Sequence, residues 1–183
     1  MITITDTPVL TNVYVEPYRS LVMQATLGQV EAASVWYFEA QEVAEDVAEN
    51  LGVSLEHGAS IVAAFSPRER WASNVQKALA FSMDKPVTGL SNNLKMAWSS
   101  LYDGFDALNG QKTNAFARAI AGDSDAIVID VWMCKAANVS FDAPNKTQYR
   151  EMSEAVSIVA SEFGITPRTA QALIWIVKRG SAS

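Results

Sequence analysis

The sequence predicts an all-α fold, and three observations support that prediction. Apolar residues recur every three or four positions over long stretches, capping residues precede several of these stretches, and alternating apolar–polar runs are nearly absent. The hydrophobic content of 49% and the charged content of 19% are those of an ordinary globular protein. We therefore expect residues 1–183 to form a single compact helical domain.

The first predicted helix covers residues 30–51. Its apolar positions step by three and four, and its outer face is acidic, which is typical of an amphipathic surface helix. Gly52 ends this helix, and Ser54 can cap a short second helix that runs through Phe65.

The segment "SPRERW" predicts the start of a third helix. Ser66 would be its N-cap, Pro67 its first helical residue, and Glu69 the partner of Ser66 in a capping box. The apolar stripe that begins at Trp71 continues this helix. Five more helices are expected downstream: the segment "LSNNLKMAWSSLYD" before Gly104, residues 111–121, residues 130–137, residues 146–163, and the segment "TPRTAQALIWIVKR".

Composition excludes several classes of protein and site. The longest apolar runs, such as "ALIWIV", are far shorter than the roughly 18 residues of a membrane span, and "MITITDTPVL" lacks the features of a signal peptide. The single cysteine, Cys134, excludes an internal disulfide, a zinc site built on thiolates and a four-cysteine iron–sulfur cluster. We expect a monomeric cytoplasmic protein that does not associate with membranes.

Charge is distributed unevenly along the chain, whose net charge is −6. Residues 1–50 carry eight acidic side chains and one basic side chain, whereas residues 58–119 carry seven basic and four acidic side chains. A phosphate-binding face needs local basicity rather than a basic total, so the middle of the chain is compatible with a nucleic-acid partner. An ordinary mixed surface is the alternative.

A tight turn, "LNGQKT", lies between two predicted helices and places Lys112 eighteen residues before Asp130. The order of helix, glycine-containing hairpin, helix and apolar run ending in aspartate resembles the helix–hairpin–helix DNA glycosylase superfamily, which includes endonuclease III. In the lyase members of that superfamily, a lysine at the end of the hairpin precedes the catalytic aspartate by the same spacing. The resemblance covers about residues 60–137.

The resemblance implies a two-lobed helical fold with a cleft between the lobes. Residues 1–65 and 138–183 would form lobe one, and residues 66–137, with the hairpin, would form lobe two. It also implies an enzyme that flips a base out of DNA and cleaves its N-glycosidic bond, with Asp130 and Lys112 as the catalytic residues. DNA contacts are expected from the hairpin and from basic side chains: Gly110, Asn109, Gln111, Thr113, Arg68, Arg70 and Lys135. No cofactor is expected, apart from a monovalent cation that the hairpin of this superfamily can hold.

The chain also departs from the superfamily pattern. Leu108 stands where the first hairpin glycine would fall, and the pair Val131–Trp132 replaces the Thr-His pair that commonly follows the aspartate. Some phage proteins that resemble these glycosylases act on modified thymines, so the reaction stays open between base excision and modification of a hypermodified pyrimidine. A non-catalytic helical module that binds DNA or a protein is a further alternative, which the sequence pI of about 4.8 favours.

The chemistry of the pair fits glycosidic bond cleavage independently of the resemblance. Breaking the bond builds positive charge on the deoxyribose, which a carboxylate such as Asp130 would stabilise. A neutral amine such as Lys112 can attack the same carbon, and a helix N-terminus disfavours its protonated form by about 0.3–1 kcal/mol. Each residue also has a structural interpretation, because Asp130 can be an N-cap and Lys112 a solvated side chain or a phosphate contact.

Four further side chains are candidates for a base pocket. Trp132 can stack on an extruded base, although packing in the core is its alternative role. Asn74 can face the same cleft, and exposure to solvent as an ordinary polar residue is its alternative. The "WYF" run places Trp36 and Tyr37 on different faces of their helix, so that at least one ring leaves the main stripe. Residues interpreted as core or packing positions are Trp71, Trp98, Trp175, Gln171 and Arg179.

Overall fold

The computed structural model describes residues 12–181, which form nine α-helices and one 3₁₀ helix and contain no strand. The all-α prediction is confirmed for this part of the chain. Residues 1–11, for which the sequence predicts no signal peptide, lie outside the described range. The helices are α1 (Val15–Gln24), α2 (Leu27–Leu51), α3 (Leu55–Ala64), α4 (Trp71–Ser82), α5 (Ser91–Asp103), the 3₁₀ helix (Gly104–Ala107), α6 (Gln111–Ile120), α7 (Val131–Ala136), α8 (Lys146–Phe163) and α9 (Pro167–Arg179).

The predicted helix start at Ser66 is wrong, because α4 begins five residues later, at Trp71, with Arg70 as its N-cap. Arg68 has a φ of 63°, a left-handed conformation that interrupts a right-handed helix. The Ser66 hydroxyl donates to the carbonyl of Ala63, at the end of α3, instead of capping a new helix.

The carboxylate of Glu69 has partners in α4 rather than in a capping box with Ser66. It accepts a hydrogen bond of 2.9 Å from the hydroxyl of Ser73 and forms an ion pair with Lys77. These contacts lower the pKa of Glu69, chiefly through the hydrogen bond from Lys77. Residues 66–70 therefore form a turn, and this turn carries both arginines to the surface beside the start of α4.

Helix α2 is the central element, because it packs against α3, α4, α6 and α9. Its crossing with α3 depends on Gly58, where a Cβ atom would lie 2.2 Å from the carbonyl oxygen of Ala44 and 2.9 Å from the Cβ of Ala48. Only glycine allows the two helix backbones to approach this closely. The crossing places the buried stripe of α2 at the centre of the molecule.

The remaining contacts connect α2 to helices on both sides. Helix α3 also packs against α5, α6 and the 3₁₀ helix, whereas α9 packs against α1, α7 and α8. Arg168, at the start of α9, is buried and donates a 2.8 Å hydrogen bond to the carbonyl of Ala119 at the end of α6. This bond satisfies one of the carbonyl groups that a helix C-terminus leaves unpaired.

A buried extended segment returns the chain from the end of α6 to the start of α7. Residues 126–129 are almost fully buried, as expected for the apolar run "AIVI". The hydroxyl of Tyr149 in α8 donates to the carbonyl of Ile127 over 2.8 Å and accepts from the amide of Ile129 over 3.2 Å. These two bonds fix the backbone immediately before Asp130.

Within residues 12–181, none of the helices combines the length and the apolar character needed to cross a membrane.

Candidate functional site

A cavity of about 270 Å³ opens between α2, α4, α6, α9 and the N-terminus of α7. Both Asp130 and Lys112 line this cavity, so the fold brings together two residues that lie eighteen positions apart in the sequence. The other lining residues are Trp36, Tyr37, Ser66, Arg68, Glu69, Arg70, Trp71, Asn74, Phe116, Val128, Val131, Trp132, Gln171, Ala172, Trp175 and Arg179.

Asp130 is held by three hydrogen bonds while it faces the cavity. Its Oδ1 accepts from the backbone amides of Trp132 and Met133 over 2.9 and 3.0 Å, which makes Asp130 the N-cap of α7. Its Oδ2 accepts from the indole N–H of Trp175 over 3.0 Å. The carboxylate of Asp130 therefore caps α7 and faces the cavity at the same time, and its hydrogen bonds fix its orientation.

Lys112 is the second residue of α6, directly after the turn at Gly110. Its side chain is exposed and reaches the cavity from the N-terminal end of α6. No carboxylate among the described residues forms an ion pair with this amine. The amine is thus available to a ligand in the cavity.

Aromatic rings form much of the cavity wall, with Trp36 at their centre. The ring centroid of Trp36 lies 5.4 Å from that of Trp71, 6.0 Å from that of Trp175 and 6.1 Å from that of Phe116. Trp36 and Tyr37 contact each other edge to face at 4.8 Å, and both line the cavity, whereas the next ring of the run points to solvent. Tilted and edge-to-face rings of this kind give stable walls against which a planar ligand can pack.

Two buried polar side chains also line the cavity. Gln171 accepts a 2.7 Å hydrogen bond from the hydroxyl of Tyr37, and burial raises the pKa of that phenol well above its usual value. Asn74 is 2% exposed, and its Oδ1 has no hydrogen-bond partner within the described part of the chain. A buried amide oxygen without a partner is uncommon in folded proteins.

The lining of the cavity is basic although the chain is acidic. Four cationic side chains and two carboxylates line it, which gives a local charge of +2 against −6 for the whole chain. One of the two carboxylates, Glu69, is paired with Lys77. The guanidinium of Arg179 lies 4.6 Å from the ring centroid of Trp175, so this cation is held at the cavity by an aromatic face. The cationic lining residues are Arg68, Arg70, Lys112 and Arg179.

The connection between α5 and α6 contains the residues expected in a hairpin. It consists of the 3₁₀ helix, which starts at Gly104 with a φ of 54°, and a short extended stretch that ends at Gly110. Asn109, Gly110 and Gln111 are exposed, and Thr113 is half-buried. The N-cap of α6 is Gly110, which makes no side-chain capping bond, so the first amides of this helix have no intrahelical partner.

Three further residues, Lys135, Cys134 and Trp98, are not part of the cavity lining. Lys135 is exposed on α7, and its amine lies 4.4 Å from the ring centroid of Trp132, which lines the cavity. Cys134 is buried on the opposite face of α7, and burial raises its pKa to about 11. The core role expected for Trp98 is wrong, because half of this side chain is exposed, although its ring contacts the ring of the buried Phe81.

The cavity is also lined by four residues that the sequence predicts as core or packing positions: Trp71, Trp175, Gln171 and Arg179. A signal for the last three was present, because they recur at four-residue intervals on α9 and thus share one face. Their spacing alone does not distinguish a core stripe from a cavity wall, which depends on what the opposing helices leave open.

The chain matches a family of unknown function, DUF7178, over residues 1–182. It belongs to this family. No curated protein and no solved structure matches the chain. In this DUF7178 protein, the described residues contain no group of three or more His, Cys, Asp or Glu side chains that could hold a metal ion.

Proposed function

We propose that this protein is a DNA glycosylase-like enzyme that flips a base into the cavity and cleaves its N-glycosidic bond. The observation that carries the proposal is the meeting of Asp130 and Lys112 at one cavity with aromatic walls and a basic lining. The proposed enzyme acts as a monomer in the cytoplasm, with DNA as its partner.

Asp130 stabilises the positive charge that develops on the deoxyribose as the base leaves. Both of its oxygens already accept hydrogen bonds, which keeps the carboxylate in one orientation throughout the reaction. Since each carboxylate oxygen has more than one lone pair, the interaction with the sugar does not require these bonds to break. The hydrogen bonds by which Asp130 caps α7 thus also position its carboxylate.

Lys112 acts as the nucleophile in the lyase form of the proposal. The lone pair of its neutral amine forms a bond to C1′, and the base departs with the electron pair of the glycosidic bond. Loss of the amine proton and opening of the sugar then give a Schiff base, from which strand cleavage proceeds. In a monofunctional enzyme, water attacks C1′ instead, and Lys112 contacts a phosphate.

The same site accounts for binding of the DNA. Trp36, Tyr37 and Trp132 provide surfaces on which an extruded base can stack. Arg68 and Arg70 lie at the surface beside the cavity, where they can neutralise the flanking phosphates. The uncapped amides at the start of α6, with Lys135 and the hairpin, hold the backbone further along the strand.

The proposed cleft lies between two helical lobes. Helix α3 packs against both α5 and α6, the helices α1, α8 and α9 pack together, and α2 contacts members of both groups. The proposed lobes are residues 1–65 with 138–183 and residues 66–137, and the contacts of α3 with α5 and α6 and of α7 with α9 join them across residues 65 and 137.

The test is mass spectrometry of bases released from DNA that carries normal, damaged and modified bases. Wild-type protein is compared with Asp130→Asn on each substrate. Release of one base by the wild type, lost in the variant, supports the proposal. Release of no base from any substrate contradicts it.

A non-catalytic DNA- or protein-binding module is the second candidate function. The observation that favours it is that Asp130 has a complete structural role, with three donors already bound to its carboxylate. DNA binding by both wild type and Asp130→Asn without any base release would support it. A glycosylase-fold enzyme that modifies a hypermodified pyrimidine would instead convert such a substrate without releasing the base.

A further inference from the structure

We propose that Asn74 selects the ring that enters the cavity, by accepting a hydrogen bond from an N–H group on the ring edge. The ligand is therefore a nucleobase that presents an N–H donor on the edge opposite its sugar. The inference rests on the proposed function for the ligand being a nucleobase, and it adds the property by which that base is chosen.

The first step is the state of Asn74 itself. The side chain is 2% exposed and lines the cavity from the first turn of α4, and no described residue donates to its Oδ1. Buried polar groups are nearly always paired, because a low-dielectric surrounding makes an unpaired one costly. An apolar side chain of the same size would avoid this cost if the position had only a packing role.

The second step is that two neutral donors of the cavity wall are already bound to acceptors. The hydroxyl of Tyr37 donates to Gln171, and the indole N–H of Trp175 donates to Asp130. Since no described residue donates to the Oδ1 of Asn74, a molecule in the cavity would supply the missing donor.

The third step is the chemistry of that molecule. The aromatic walls favour a planar ring, and the net positive lining disfavours a cationic one. Among neutral planar rings, a pyrimidine imide offers its N3–H and adenine offers its exocyclic amino group to a single acceptor. A ring whose donor position is methylated would leave the Asn74 oxygen unpaired.

The experiment compares isomeric ligands by quenching of intrinsic tryptophan fluorescence. Four of the five tryptophans line the cavity, so a ring that stacks there should quench strongly whether or not any reaction occurs. The probes are 1-methylthymine, which keeps N3–H, and 3-methylthymine, which lacks it but has the same size and hydrophobicity. A second pair, 9-methyladenine and its N6,N6-dimethyl derivative, tests the amino group in the same way.

We expect the donor-bearing member of at least one pair to bind about 5- to 100-fold more tightly than the methylated member. Asn74→Leu keeps the volume but removes the acceptor, so it should reduce this preference to less than about twofold. Asn74→Asp retains an acceptor oxygen and should retain a preference. Ser100→Ala is the matched control, because Ser100 is the other buried hydroxyl or amide without a partner in the described chain, yet it does not line the cavity.

Three outcomes would overturn the inference. They are equal binding of the two members of both pairs, a preference that survives in Asn74→Leu, and no binding of any probe at millimolar concentration. If Asn74→Leu does not fold, the comparison of the isomeric ligands on the wild-type protein still tests the inference. The proposed function can fail separately: selective binding without base release from any DNA would contradict glycosylase activity alone. Base release with no preference between isomers would contradict the role of Asn74 alone.

Discussion

The bond between the Trp175 indole and Asp130 leads to a specific prediction for the substitution Asp130→Asn. The 3.0 Å distance joins the indole nitrogen to Oδ2, while Oδ1 accepts from two backbone amides. In the variant, the amide oxygen must stay on the two backbone donors, because asparagine is as good an N-cap as aspartate. The amide nitrogen then faces the indole nitrogen, and two donors oppose each other.

The expected loss of stability follows from these contacts. A hydrogen bond to a charged group contributes about 1.5–3 kcal/mol, and partial exposure of both side chains lowers this to about 1–2 kcal/mol. For a chain of this length, such a change lowers Tm by roughly 2–8 °C. Trp175→Phe removes the indole donor and keeps most of the ring. Asp130→Asn should therefore lower the free energy of unfolding by less in the Trp175→Phe variant than in the wild type. A coupling energy of about 1 kcal/mol between the two substitutions is expected.

The assay is urea unfolding followed by far-ultraviolet circular dichroism for the wild type, both single variants and the double variant. Circular dichroism is preferred because Trp175→Phe changes the fluorescence itself. If the two effects add to within about 0.3–0.5 kcal/mol, the indole–carboxylate bond does not contribute as described.

Four other predictions concern the close helix crossing, the buried thiol, the basic lining and the candidate nucleophile. Gly58→Ala should lower the free energy of unfolding by about 1–3 kcal/mol, because its Cβ would overlap α2, whereas Gly28→Ala meets nothing within 4 Å and should not lower it; equal urea midpoints would refute this. Burial raises the pKa of Cys134 to about 11, so thiol reagents at pH 8 should label it only at the rate of unfolding, and rapid labelling of the native protein would contradict its burial. Arg68→Ala and Arg70→Ala should each reduce the slope of log K against log salt for DNA binding by roughly one, and unchanged slopes would exclude them as phosphate contacts. If the enzyme is a lyase, borohydride should trap it covalently on DNA, and Lys112→Ala should abolish trapping; trapping that persists would assign the nucleophile elsewhere.

Local sequence signals predicted most helices because their caps satisfy the backbone without help from distant residues. Gly52 and Thr166 cap helices at the expected positions, whereas Ser54 precedes α3 without a side-chain capping hydrogen bond. The prediction at "SPRERW" failed because Glu69 binds Ser73 and Lys77, and Arg68 adopts a left-handed conformation. A capping box is only one of several hydrogen-bonding arrangements open to such a segment, and the surrounding fold decides among them.

The eighteen-residue spacing of Lys112 and Asp130 was informative about the site because the segment between them leads away from the cavity and then back to it. Helix α6 leads away from the hairpin, and the buried run at residues 126–129 leads back to the cavity. The cavity wall was less predictable, since a face of α9 becomes a wall only where α2, α4 and α6 leave space in front of it. That space depends on long-range packing, such as the α2–α3 crossing at Gly58, which periodicity within one helix does not reveal.

The most direct test of the central claim is the single-turnover rate of base release at saturating enzyme, on whichever DNA substrate the wild type cleaves. The rates of wild type, Asp130→Asn and Asp130→Asn in the Trp175→Phe background are compared, with folding and DNA affinity measured on the same samples. If Asp130 stabilises the transition state at this cavity, both variants should release the base at least about 100-fold more slowly while DNA affinity changes little. Release by Asp130→Asn at the wild-type rate would contradict the account and leave Asp130 as a helix cap.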